Sequence, residues 1–353
     1  MNSWHKPMAV LGAFALTSAG LAGCGSAGAA PGTGGAAGKV RLVAHASFVI
    51  PSELKQSFKQ QSGFDLEVIQ VDEAGTMAAQ LILSADNPVA DVVAGLDNTF
   101  ASRVVQAGVL EPYVAPAGGP EQAKYAADLA GWLTAIDMSD VCINYDKSAY
   151  TTTPAPTGLA DLIKPAYRDQ LVVENPATAS PGMAFMLATV AAYGEDGWLD
   201  YWRALQANGV KISPSWQDAY YSEFSGPSSS GRRPLVVSYA SSPPAEVVQG
   251  GDGSSGTAAL LDTCFRQVEY AGVLRGADNP TGAQALVDYL LTDEFQTALP
   301  TTMWVYPINE QVMIPTDWVD LAPLAADPWV ISPGEISKNR EVWLKEWIEV
   351  VLG

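Results

Sequence analysis

VRLVAHASFVIPSELKQSFKQQSGFDLEVIQVDEAGTMAAQLILSADNPVADVVAGLDNTFASRVVQAG, residues 40–108, is the stretch that decides the fold. Residues 40–44 read as a buried strand. In 52–61, Leu54 and Phe58 stand four apart on one helical face, and Gly63 supplies the stop. Residues 66–71 read as a second strand, 76–84 as a helix and 90–96 (ADVVAGL) as a third strand. A helix over 98–107 ends at Gly108. A βαβαβ order implies a largely parallel sheet covered by helices.

Working outward, a second lobe is expected after Tyr145, Asp146 and Lys147, with Pro154, Pro156 and Thr157 in the connection. Residues 171–174 and 235–239 read as strands, and 183–193 and 197–208 as helices. Trp198, Tyr201, Trp202 and Leu205 share one face of the second helix. The Gly- and Ser-rich stretches 225–231 and 250–256 read as surface loops. The chain then returns to the first lobe through a strand at 265–274 and a helix at 282–291. A last helix starts at Ser332 as N-cap, with Pro333 next and Glu335 completing a capping box. Trp343, Trp347 and Val351 give it an apolar stripe.

The N-terminus carries Lys6, an apolar stretch from Met8 to Leu21, and then Leu21-Ala22-Gly23-Cys24. This reads as a secretory signal, too short to span a membrane. Its last four residues resemble a bacterial lipobox, which makes Cys24 the expected lipidation site; an ordinary signal peptide with an incidental cysteine is the alternative. Residues 25–38 contain only Gly, Ser, Ala, Pro and Thr, a flexible tether with a reach of roughly 20 Å. The expected organisation is therefore signal 1–23, tether 24–39, first lobe 40–145, second lobe 146–260, and a return to the first lobe over 261–353.

Composition narrows the function. A formal net charge of −19 argues against nucleic acid and anionic membrane surfaces as partners. His45 is the one histidine left once the signal carrying His5 is gone, so a multi-imidazole metal site is excluded. HExxH and GxSxG are missing. Gly251-Asp252-Gly253-Ser254-Ser255-Gly256 matches GxGxxG formally, but its composition is that of a loop. No pair of carboxylates is singled out, so no enzyme activity and no cofactor are expected. Cys142 and Cys264 both sit in strand-like segments. In an oxidising compartment they imply one disulfide, two buried free thiols being the alternative.

What remains is a set of polar and aromatic clusters at the ends of strands, where α/β sheets hold ligands. They are residues 45–48, 73–76, 175–182, 215–221, 238–243 and 303–307. Residues 175–182 (NPATASPG) precede a helix whose first amides suit a polar or anionic group.

Several of these segments together resemble the thiamine-binding periplasmic protein family. The resemblance runs from about Val40 to the C-terminus. It is carried by ADVVAGLDN (90–98), NPATASPG (175–182), SWQDAY (215–220), VVSYASSP (236–243), MWVYP (303–307) and REVWLKEW (340–347). It implies an α/β, two-lobed type II periplasmic binding protein fold with a ligand cleft between the lobes. It further implies an extracytoplasmic substrate-binding protein that passes thiamine or a thiamine phosphate to the permease and ATPase of an ABC importer; a monomer is expected, with the lipid anchor read from residues 21–24. The family's acidic contact falls on Glu73, followed by Ala74 where relatives have glycine. Its hydroxyl pair falls on Ala179 and Ser180, with Thr178 as the compensating hydroxyl. Its cleft tryptophan falls on Trp216, near Tyr220, and its strand-end tyrosine on Tyr239, followed by Ser241 and Ser242. Two family tyrosines fall on His45 and Ala245; Trp304 and Tyr306 are further candidates for the wall. The alternative is a ferric iron-binding protein of an ABC importer. Such relatives share the fold and use adjacent tyrosines with an early histidine and an acidic residue, and Tyr220, Tyr221, His45 and Glu73 provide those types.

Overall fold

Short buried strands alternating with one-sided helices leave few ways to pack, and the computed structural model, which describes residues 38–126, 129–247 and 253–353, adopts one of them. The expected signal sequence, Cys24 and most of the tether lie outside the described residues; Lys39 already belongs to the first strand. Among the described residues the strands are β1 Lys39–His45, β2 Asp65–Val71, β3 Val92–Asp97, β4 Thr134–Asp146, β5 Leu171–Glu174, β6 Lys211–Ser213, β7 Leu235–Tyr239, β8 Thr257–Val273 and β9 Tyr306–Pro307. The helices are α1 Ser52–Ser62, α2 Ala74–Leu83, α3 Ala101–Gln106, α4 Glu121–Tyr125, α5 Ser180–Ala207, α6 Pro280–Tyr289, α7 Asp293–Thr302, α8 Trp318–Leu321 and α9 Pro333–Val351.

The strands form one sheet in the order β2-β1-β3-β8-β4-β7-β5-β6, with β9 on β4. The expected parallel arrangement holds for β2-β1-β3 at one end and β6-β5-β7 at the other. The centre departs from it: β8 runs antiparallel to both β3 and β4. β8 is also far longer than the strand expected from residue 265. It pairs with β4 from Thr134↔Ala271 to Asp146↔Thr257. Asp262 and Thr263 sit where the register shifts between Val141 and Ile143, so a bulge absorbs them and the strand continues. β3 joins the C-terminal end of β8 and β7 joins the C-terminal end of β4. The two long strands thus connect the β1–β3 lobe to the β5–β7 lobe. A Cys142–Cys264 disulfide ties β4 to β8 between them.

Local chemistry explains the other boundaries. Leu54 and Phe58 are buried as their spacing requires, and Gly63 closes α1 at φ 81°, its N–H bonding the Lys59 carbonyl at 2.8 Å. α3 starts later than expected because the Asp97 carboxylate captures the Thr99 N–H at 2.7 Å, holding that stretch in a turn. α5 covers both expected helices, interrupted at Gly194, where φ is 67°. Trp202 meets Trp347 of α9 edge to face at 5.4 Å, and the Arg340 guanidinium lies 4.7 Å from the Phe100 ring centre. The apolar stripe of α9 is therefore spent on docking. Ser332 caps α9 by accepting the Glu335 N–H at 3.2 Å. Among the described residues no helix is long and apolar enough to cross a membrane.

Candidate ligand cavity

The site is built where elements end. β1 delivers His45. Glu73 is the N-cap residue of α2, with extended φ/ψ of −129° and 153°, so its carboxylate stands at a strand-to-helix turn. From the other lobe come Ser180 and Pro181 at the start of α5, the segment 214–221 with its π-helical turn, and the end of β7. Met303, Trp304 and Val305 close one side. Together they line a cavity of about 180 Å³.

Its aromatic wall is organised around Trp216. Tyr220 stacks on it with centroids 5.1 Å apart and planes 27° apart, and Tyr221 meets it edge-on at 5.6 Å. Tyr239 lies 6.3 Å away on the far side. The Trp216 indole N–H donates to Ser238 at 3.0 Å, and Ser238 is in turn 3.0 Å from the Ser242 hydroxyl, so the ring orientation is fixed. Trp304 stacks at 6.4 Å on buried Trp318 and has a φ of 57°, a conformation an L-residue keeps only when its surroundings impose it. Ser241 contributes to that: its hydroxyl donates to the Trp304 carbonyl at 2.6 Å.

The polar lining is acidic. Glu73, Glu246 and Glu269 face the cavity, and among the described residues no lysine or arginine does. Tyr220 donates to Glu246 at 2.9 Å, and His45 Nε2 lies 3.2 Å from Glu269. Burial pushes the Glu73 carboxyl up to about 7, although the Trp216 N–H and His45 pull it down. Burial works the other way on His45, but Glu269, then Glu73 and Asp97, outweigh it and leave the imidazole above its usual value. Gly95, at φ 76° in a β3 irregularity, makes room for that ring: a Cβ there would come within 2.4 Å of the imidazole.

Four contacts join the lobes across the cavity. Glu73 accepts the Trp216 N–H at 2.9 Å, and the Gly75 N–H donates to the Thr178 carbonyl at 2.9 Å. Ser180 donates to Asp97, and Gln217 donates to Ser47 at 3.3 Å. The cleft is closed. At Gly75 an added Cβ would come within 2.5 Å of the Thr178 carbonyl and 2.7 Å of Phe100, so only glycine permits this approach. Gly75→Ala is expected to keep the fold but weaken ligand binding by about tenfold, because a closed state that is harder to reach lowers apparent affinity in proportion; equilibrium titration checks this.

Of the residues expected from the sequence, His45, Glu73, Ala74, Ser180, Trp216, Tyr220, Tyr239, Ser242 and Trp304 lie on the wall. Thr178, Ala179, Ser241 and Tyr306 do not. The Thr178 hydroxyl is 3.3 Å from both the Asn175 and Pro214 carbonyls, and Ala179 is buried at the α5 N-cap. Ser241 braces Trp304 from behind. Tyr306 packs on Trp318 with centroids 4.9 Å apart and donates to the Ala322 carbonyl. Sequence reasoning missed Glu246 and Glu269. Glu269 carried a signal in its two-residue spacing from Gln267, which puts both on one face of β8. Glu246 sits after a Pro-Pro turn, where nothing in the pattern marked it.

The sheet topology, the two lobes and the closed cavity define a two-lobed type II periplasmic binding protein with its ligand cleft between the lobes. The chain belongs to the bacterial extracellular solute-binding protein family, whose profile matches residues 87–327. It is 25% identical over 304 residues to a thiamine-binding periplasmic protein of Salmonella typhimurium, covering 84% of this chain and 88% of the relative. A solved periplasmic thiamin binding protein superposes with a TM-score of 0.76 at 22% identity, over 89% of this chain and 96% of that one. Iron-bound HitA from Pseudomonas aeruginosa shares the fold at a TM-score of 0.68 and 18% identity, over 88% and 99%.

Proposed function

We propose that this protein captures thiamine, or a phosphate ester of it, outside the cytoplasm and hands it to the permease and ATPase of an ABC importer, without catalysing a reaction. The observation that carries this is the pairing of a fixed Trp216–Tyr220–Tyr239 aromatic wall with three cavity carboxylates and, among the described residues, His45 but no lysine or arginine on the wall. Thiamine presents the complementary chemistry. Its thiazolium is a permanent cation, and an aromatic face contributes roughly 0.5–2 kcal/mol toward holding one. Its aminopyrimidine is flat and carries an amino donor, which suits stacking and a carboxylate such as Glu73. The thiamine-binding relatives support the same reading. The ferric reading asks for tyrosine hydroxyls converging on one ion. Here the Tyr220 hydroxyl is given to Glu246, and the Tyr220 and Tyr221 rings stand 77° apart.

In this proposal the lobes open and close about the long strands β4 and β8, with boundaries near 145 and 260. The protein acts as a monomer held to the membrane by a lipid on Cys24. Mass spectrometry of the small molecule released from purified protein by denaturation tests the ligand: thiamine or its esters are expected, and bound iron without them would contradict the proposal. Cys24→Ser is expected to release the protein from the membrane fraction; unchanged fractionation and processing would remove the anchor.

The Glu73 carboxyl, held up to about 7, predicts a pH dependence. A cation nearby favours the ionised form, so binding requires loss of a proton below that value. Affinity should be flat above about pH 7.5 and fall by up to about tenfold per unit as pH drops below about 7. Protonation of His45 adds positive charge beside the ligand and acts in the same direction. In the unliganded protein the Glu73 contribution has the opposite sign: ionising a group whose folded value is raised costs stability as pH rises from the ordinary carboxylate range through about 7. Ligand-induced stabilisation is therefore larger at pH 8 than at pH 5.5. Glu73→Gln should remove most of the slope, as measured by calorimetry across pH.

A further inference from the structure

Resting on the thiamine reading above, we infer that the cavity selects the unphosphorylated vitamer and turns away its phosphate esters. The natural place for a phosphate in this site is the N-terminus of α5, whose first amides and flanking hydroxyls border the cavity. The chain has already committed part of it. Ser180 gives its hydroxyl to Asp97, so a carboxylate of the protein itself already stands beside the start of the helix. Pro181 has no N–H to offer. The amides of Thr178 and Ala179 donate to the Asn175 carbonyl at 3.2 and 3.0 Å, and the amide of Ala177 donates to the Asn175 side chain at 2.9 Å. The Thr178 hydroxyl is turned to backbone carbonyls. These three amides and this hydroxyl are not free for an anion.

The opposite side of the cavity deepens the exclusion. Glu246 is held by Tyr220 at 2.9 Å and by the Ser228 N–H at 3.0 Å, with the Ser228 hydroxyl as a third donor. Glu269 is held between His45 at 3.2 Å and the Gln267 amide at 3.3 Å. Neither carboxylate is free to swing away, and among the described residues the wall offers no lysine or arginine to offset them. A phosphate monoester brings a charge of roughly −1.5 to −2 at neutral pH. It would cancel the attraction these carboxylates exert on the thiazolium and add repulsion of its own.

The test is calorimetry with thiamine, thiamine monophosphate and thiamine diphosphate at pH 7.5, at low and high ionic strength. Thiamine is expected to bind, the monophosphate about tenfold more weakly or worse, and the diphosphate more weakly again. Raising the salt should narrow the gap, and so should Glu246→Gln. The salt series needs no variant, so it decides even where that substitution disturbs the Tyr220–Ser228 contacts. Equal affinity for thiamine and its esters would overturn this inference and leave the thiamine reading standing. No heat with any of the three would overturn the thiamine reading itself.

Discussion

Trp216→Ala is expected to weaken thiamine binding by about 30-fold or more, roughly 2–3 kcal/mol, with the fold intact. Three features of this residue lead to that figure. Its ring is the member of the aromatic wall in contact with Tyr220, Tyr221 and Tyr239 at once, so its loss opens the stack from the middle. Its indole N–H is fixed by Ser238, so the surface is preorganised and little entropy is lost on binding. Its π-face is the place where a cation and an aromatic ring can both be held. The backbone N–H that bridges to Glu73 survives the substitution, so the lobe contact remains and the loss reads on ligand affinity alone. Trp216→Phe should recover part of it. A loss below about threefold in an otherwise folded variant would show that the ligand does not stack there.

Removing the disulfide by Cys142→Ser with Cys264→Ser should lower unfolding stability by about 2–4 kcal/mol while leaving affinity within a few-fold. The bond closes a loop with a sequence separation of 122 residues, so in the chain-entropy account it restricts the unfolded ensemble strongly. It also lies in the two strands shared by both lobes, away from the cavity wall. Denaturant unfolding of wild type and double variant, each with and without reductant, checks this. Reductant should shift the wild type alone.

Much of the fold was legible because hydrophobic spacing and stop signals agree locally. Leu54 with Phe58 before Gly63, and Ser332 before Glu335, each specify an element without help from the rest of the chain. The antiparallel centre was not legible in the same way. The length of β8 depends on a bulge around Asp262 that is stabilised by pairing with β4, a partner more than a hundred residues away. The site divides along the same line. Trp216, Tyr239 and Glu73 stand next to strand or helix ends and could be found from local pattern and from family resemblance. Glu246 reaches the cavity through a turn whose course depends on tertiary packing. The hydroxyls of Thr178 and Ser180 looked available in the sequence, but their orientation is settled by Asn175, Pro214 and Asp97, which only the fold brings near.

The central claim is that the closed cavity holds a flat organic cation rather than a metal. Calorimetric titration of the unliganded protein with thiamine, run beside an identical titration with ferric citrate, tests it most directly. The account predicts one thiamine per protein, an affinity that collapses in Trp216→Ala, and no heat of binding with iron. No heat with thiamine, together with tight Fe³⁺ binding that is lost in Tyr221→Phe, would contradict it.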